Sequence, residues 1–95
     1  MDLQLKDKTA LVMAASKGLG KACAMALAAE GANVVIGARN RDVLEATAGE
    51  IRSLGKGRVL AIPADVNKPE EAEAFVNGAL AAFGRVDILV NNAGG

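Results

Sequence analysis

The sequence predicts an α/β fold, a doubly wound parallel sheet of four strands in the order 3-2-1-4 crossed by about three helices. Three observations lead there. Four short apolar runs, Thr9–Ala15, Ala32–Ala38, Arg58–Ala64 and Val86–Val90, lack the strict alternation of a half-exposed strand, as parallel strands covered on both faces do. Helical patterns with capping or glycine ends separate these runs. The first run also leads into a glycine turn, Lys17-Gly18-Leu19-Gly20, that opens a helix.

The first helix is expected from about Leu19 to Glu30, with Leu19, Cys23, Ala26 and Leu27 on its buried face and Gly31 as its stop. The second runs from about Arg41 to Leu54, with Asn40 as N-cap, an apolar stripe of Leu44, Thr47, Ala48, Ile51 and Leu54, and Gly55 at its end. A third begins at Asn67, where Asn67 and Glu70 have capping-box spacing and Pro69 falls in the first turn. Its stripe is Ala72, Phe75, Val76, Ala79, Leu80 and Phe83, and Gly84 closes it. Right-handed crossovers and the order 3-2-1-4 put the third strand on an edge, where Pro63 is tolerated because it has no donor to give a central ladder. Val86-Asp87-Ile88-Leu89-Val90 takes the other edge, although it is as apolar as an interior strand. The expectation is therefore a truncated form of the fold. It would be a single unit over residues 1–95 that forms a homo-oligomer through its strand-four side or holds a separate C-terminal remainder there.

Composition narrows the function classes. The 95 residues carry 11 Lys plus Arg against 11 Asp plus Glu, a neutral balance that argues against a nucleic-acid or membrane-surface partner. The chain is 52% hydrophobic but only 2% aromatic, so its core must be aliphatic. A lone cysteine, Cys23, allows no internal disulfide and no thiolate metal site, and its apolar neighbours mark it as a small buried hydrophobe. Met1-Asp2-Leu3-Gln4-Leu5-Lys6 lacks the apolar core of a signal peptide and no run could span a bilayer, so a cytoplasmic location is expected.

The glycine turn carries the chemistry. A strand-to-helix turn rich in glycine lets the backbone approach a pyrophosphate, and the helix N-terminus offers free N–H groups and a partial positive charge. About twenty residues after Gly18, at the end of strand two, an acidic residue would hold the ribose 2′-hydroxyl of NAD. Ala38 stands there instead, followed by Arg39. A missing carboxylate removes repulsion of a 2′-phosphate and a guanidinium can pair with it bidentately, so the reading is NADP(H). Lys17 adds charge on the same side or is a solvated surface cation. Asp65-Val66, at the end of strand three, can serve an adenine amino group and ring, or Asp65 can order the turn into the next helix. Asn91-Asn92-Ala93-Gly94 brings two amides and a flexible glycine to the same edge. There is no phosphate-binding G-x-x-x-x-G-K-[ST] loop, no His and no Tyr. Ser16, without a base partner, suits a phosphate or ribose contact better than a nucleophile. The alternative to a hydride-transferring enzyme is a non-catalytic nucleotide-binding or self-associating module.

Together, Val12-Met13-Ala14-Ala15-Ser16-Lys17-Gly18-Leu19-Gly20, Ala38-Arg39-Asn40, Asp65-Val66 and Val86-Asp87-Ile88-Leu89-Val90-Asn91-Asn92-Ala93-Gly94 closely resemble the N-terminal part of the short-chain dehydrogenase/reductase family. Within it the chain is most similar to carrier-protein β-ketoacyl reductase-like members. The resemblance covers essentially all 95 residues. It implies a Rossmann fold and NADP(H)-dependent carbonyl–alcohol redox chemistry. The roles it implies are phosphate approach for Ser16, Gly18, Leu19 and Gly20, 2′-phosphate binding for Lys17 and Arg39, adenine binding for Asp65 and Val66, and ribose-side contacts for Asn91, Ala93 and Gly94. Two departures stand out. Met13 and Ala14 replace the Thr-Gly that opens the family's glycine motif, so the bond expected from that Thr towards the Asn-Asn-Ala-Gly segment cannot form. The family's catalytic Asn, Ser, Tyr and Lys lie beyond that segment, so no catalytic residue is carried over.

Overall fold

Five consecutive apolar or β-branched residues, Thr9–Met13, form strand β1, and every one of them is buried. The computed structural model describes residues 6–13, 18–54, 57–65 and 67–91. Along these, β1 is followed by helix α1 (Gly18–Ala29), β2 (Asn33–Ala38), α2 (Arg41–Leu54), β3 (Val59–Pro63), α3 (Pro69–Phe83) and β4 (Ile88–Asn91). All strand pairs are parallel and the sheet order is β3-β2-β1-β4, as the sequence predicts. Leu11 stands opposite Val35 on one side and Leu89 on the other.

Alternation along the strands fills two aliphatic layers. Val12, Val34 and Ile36 project to the face covered by α1 and α2, where they meet Ala24, Ala28, Leu44, Ala48 and Ile51. Leu11, Met13 and Val35 project to the opposite face, under Phe75 and Ala79 of α3. The chain steps outward from β1 to β3 with helices on one face, then returns to β4 with a helix on the other. Reversing direction and face together keeps one hand of crossover. Pro63 lies on the β3 edge, opposite Ala38, and the ladder continues past it through a bond from the Ala64 N–H to the Ala38 carbonyl of 3.0 Å.

Three details differ from expectation. The buried face of α1 is Gly20, Ala24 and Ala28, while Leu19 is 70% exposed, Ala26 is exposed, and Cys23 and Leu27 are half-buried. The helix seats against β1 and β2 through a ridge of its smallest side chains at i, i+4 and i+8, so hydrophobic bulk was the wrong guide. Helix α3 starts at Pro69, two residues after the expected Asn67, because a proline without an N–H fits the first helical position. The Asn67–Glu70 box does not form. Lys68 is an extended N-cap that makes no side-chain capping bond; the Asp65 Oδ1 accepts the Asn67 N–H at 2.9 Å and the Glu71 Oε1 accepts the Asp65 N–H at 3.0 Å. Leu54 and Leu80, placed in buried stripes by spacing, are 48% and 42% exposed at the flanks of their helices. Helix α2 itself keeps its expected bounds, with the Asn40 Oδ1 accepting the Val43 N–H at 3.1 Å. Gly84 closes α3 in the left-handed region at φ 77°, donating its N–H to the Leu80 carbonyl. Among the described residues no helix is long and apolar enough to cross a membrane.

The start of β4 is tied to the start of β1 by a charged clamp. The Asp87 carboxylate accepts the Thr9 N–H at 2.8 Å and two bonds from the Arg85 guanidinium, 2.8 Å from Nε and 2.6 Å from Nη2, while the Asp87 N–H donates to the Thr9 carbonyl. Hydrogen bonding from Arg85, and then from Thr9, holds the Asp87 carboxyl below its ordinary range.

Two outcomes are expected. Ala24→Leu overfills the α1 ridge and lowers stability in urea by about 1–3 kcal/mol, whereas Ala26→Leu changes it by less than about 0.5 kcal/mol; the reverse ranking would place the other face inward. A carboxyl lowered in the folded state contributes stability that is present above the unfolded pKa of about 4 and disappears as pH falls through the folded value. Asp87→Asn is therefore less stable than wild type at pH 7, and the gap closes as acidification carries the pH below the ordinary carboxylate range and through the lowered folded value in pH-dependent denaturation. A gap that does not change with pH would contradict the clamp.

Candidate functional site

The carboxyl ends of the parallel strands all reach one edge of the sheet. Met13 ends β1 level with Gly37 on one side and Asn91 on the other, and Ala38 ends β2 opposite Pro63. Helix α1 opens from this edge, and its first turn, Gly18-Leu19-Gly20, presents N–H groups without intrahelical partners. No acidic residue lies in that turn to oppose an anion. Gly18 has a positive φ of 65°, and no atom of the described residues stands within 4 Å of where its side chain would begin. Gly20 is buried against the sheet. The local sequence thus leaves a bare, electropositive backbone cradle at the head of the central strand, the arrangement a pyrophosphate requires.

The Ala38-Arg39-Asn40 turn stands beside it. Ala38 is 6% exposed and Arg39 is exposed. Asn40 caps α2 immediately afterwards, so Arg39 sits between a paired strand end and a capped helix. Lys21 pairs with Glu50, Lys68 with Glu71 and Arg85 with Asp87, but Arg39 has no carboxylate partner among the described residues. Its guanidinium is available to an incoming anion.

Gly18, Leu19, Gly20, Arg39, Asp65 and the backbone of Asn91 are therefore brought to one edge. Asp65 is half-buried and its Oδ1 is engaged in the turn leading into α3, the structural option left open by its spacing. Ala14, Ser16, Lys17, Val66, Asn92, Ala93 and Gly94 lie outside the described residues. Met13 is 5% exposed and packs into the α3-side core with Phe75, so its side chain serves packing where the family pattern has a hydroxyl. Two contacts were missed from the sequence. The Asp87–Thr9 clamp joins residues 78 apart, and Phe75 seats directly on Gly37. Neither partner in either pair announces the other in a local pattern.

Comparison with known proteins agrees with this geometry. The family described as short chain dehydrogenase matches residues 8–95. The chain is 39% identical over 94 residues to the 7alpha-hydroxysteroid dehydrogenase of Escherichia coli K12, covering 99% of this chain and 36% of that one. It is 41% identical over 92 residues to an uncharacterized oxidoreductase of Mycobacterium tuberculosis, covering 97% and 35% respectively. Among solved structures, the L-sorbose reductase of Gluconobacter frateurii, complexed with NADPH and L-sorbose, superposes with a TM-score of 0.94 at 40% identity, covering all of this chain and 36% of that one. The chain thus spans about a third of the length of the relatives it matches.

Proposed function

The chain belongs to the short-chain dehydrogenase/reductase family, and on that premise we propose that residues 1–95 form the NADP(H)-binding unit of an oxidoreductase acting between a carbonyl and an alcohol. The observation that carries the cofactor choice is the Ala38-Arg39-Asn40 turn at the carboxyl end of β2. It lacks the carboxylate that selects an unphosphorylated ribose and offers in its place a guanidinium with no partner among the described residues. The space over Gly18, which no described residue fills, and the acid-free first turn of α1 fit the pyrophosphate of the same molecule. The NADPH held by the Gluconobacter reductase supports the same choice.

NADPH supplies the hydride when bound. The residues of this chain bind and orient: the amides of Gly18, Leu19 and Gly20 take the pyrophosphate, Arg39 takes the 2′-phosphate, and Asp65 borders the adenine side. In the same reading Ser16 joins the pyrophosphate contacts, Lys17 joins Arg39 at the 2′-phosphate, Val66 serves the adenine, and Asn91, Ala93 and Gly94 the ribose side. With no Tyr and no His, this chain offers neither phenol nor imidazole to pass a proton to a carbonyl oxygen. That group belongs to the part of such an oxidoreductase that follows the cofactor unit. The outer edge of β4, where Leu89 is 59% exposed, is the surface that this remainder or a second copy of the chain covers.

Calorimetry with 2′-phospho-ADP-ribose and ADP-ribose tests the cofactor choice. The phosphorylated nucleotide is expected to bind roughly tenfold or more tightly, as a charge-assisted pair implies, and Ala38→Asp reverses the order. Equal or opposite preference in the unaltered chain would overturn the assignment.

A further inference from the structure

Only two residues of this chain are aromatic, and both lie on α3. Phe83, at its C-terminal end, lies under the Arg58 guanidinium at 5.1 Å, beside the start of β3. Phe75 lies nearer the other end of the helix and is completely buried, the largest side chain to be so. A methyl group placed on Gly37 would stand 2.7 Å from Phe75 Cε2, 3.1 Å from Cδ2 and 3.2 Å from Cζ. The ring therefore occupies the space that a side chain at position 37 would fill, in direct contact with the backbone of β2. Gly37 has no positive φ among the chain's glycines, so close approach alone accounts for its lack of a side chain.

The position of this contact matters. Gly37 is paired to Met13 of β1 and Ile62 of β3, and it is two residues from Arg39. The buried cluster around Phe75 includes Met13 and Ala64, which end or follow the flanking strands. One ring thus supports three adjacent strand ends from below. Beyond Gly37, the Ala64 N–H binds the Ala38 carbonyl at 3.0 Å and the Asn40 side chain caps α2. Among the described residues the Arg39 side chain has no hydrogen-bond or ion-pair partner, so the level of its backbone follows β2 beneath it.

We propose that Phe75, acting through Gly37, is a positioning residue for the cofactor edge: it sets the level of the carboxyl end of β2 and hence where the Arg39 guanidinium meets a 2′-phosphate. The inference rests on the assignment of Arg39 to that phosphate. Bidentate guanidinium–phosphate pairing is sharply directional, so a displacement of under an ångström weakens it selectively, while contacts at Gly18-Leu19-Gly20, on a different element, change less.

The test is the affinity ratio of 2′-phospho-ADP-ribose to ADP-ribose, measured by calorimetry on the 95-residue chain and on Gly37→Ala, Phe75→Leu and the double variant. Each single change is expected to lower the ratio roughly fivefold or more. The double variant, in which the smaller leucine leaves room for the added methyl, recovers most of it. Thermal unfolding is recorded in parallel. A ratio unchanged in both single variants while Tm falls would show Phe75 to be a core residue only and overturn the inference. If Gly37→Ala does not fold, Phe75→Leu decides by the same ratio. Absence of any preference in the unaltered chain would instead overturn the Arg39 assignment, and the inference with it.

Discussion

Everything in this molecule is referred to β1. Its five residues are no more than 5% exposed, they pair with β2 on one side and β4 on the other, and their side chains enter both core layers. Burying Leu11 and Val12 fully stabilises the fold by about 1.5–3 kcal/mol each. A one-residue slip would exchange the two layers, putting Val12 under α3 and Leu11 under α1. The Asp87 clamp holds β4 against this strand at the amino end, and the Phe75 ring supports its neighbours at the carboxyl end. The head of β1 is where α1 turns away, so the strand that organises the core also places the Gly18-Leu19-Gly20 turn.

The two edges of the sheet differ in kind. At the carboxyl edge stand the acid-free N-terminus of α1 and Arg39, which has no partner among the described residues. The amino edge holds a shallow hollow of about 680 Å³ lined by Lys6, Asp7, Glu30, Asn33 and Arg58 with two glycines, a mixture of both signs close to the C-terminal end of α1. The first turns of α2 and α3 carry Asp42, Glu70 and Glu71, so at the carboxyl edge the acid-free end of α1 beside Arg39 is the place that favours an anion.

Much of this was legible in the residues. Apolar runs without alternation located all four strands, and Pro63 fitted the edge place that the usual order gives β3, while the expected stop at Gly55 lies outside the described residues. Asn40 marked the start of α2 correctly because a cap is a local interaction, bonding three residues ahead. The face of α1 was misread because hydrophobic size was taken as the guide, when the close helix–sheet approach selects Gly20, Ala24 and Ala28. The start of α3 was misread because two local rules competed and the proline rule prevailed over the capping box. Of the candidate site, the places of the Gly18 and Arg39 turns at strand ends were legible, since glycine, charge and strand ends are all sequential features. The seat of Phe75 on Gly37 was not, because it depends on how a helix from the far side of the sheet settles on a strand 38 positions earlier.

The central claim is that one edge of the sheet, and that edge alone, receives a phosphorylated nicotinamide dinucleotide. Backbone amide spectra of the 95-residue chain during titration with NADP test this directly. The account predicts saturable shifts at Gly18, Leu19, Gly20 and Arg39, with Asp7, Arg58 and Arg85 at the opposite edge unmoved. Shifts centred on the amino edge, or none at the Gly18 turn at saturating nucleotide, would contradict it.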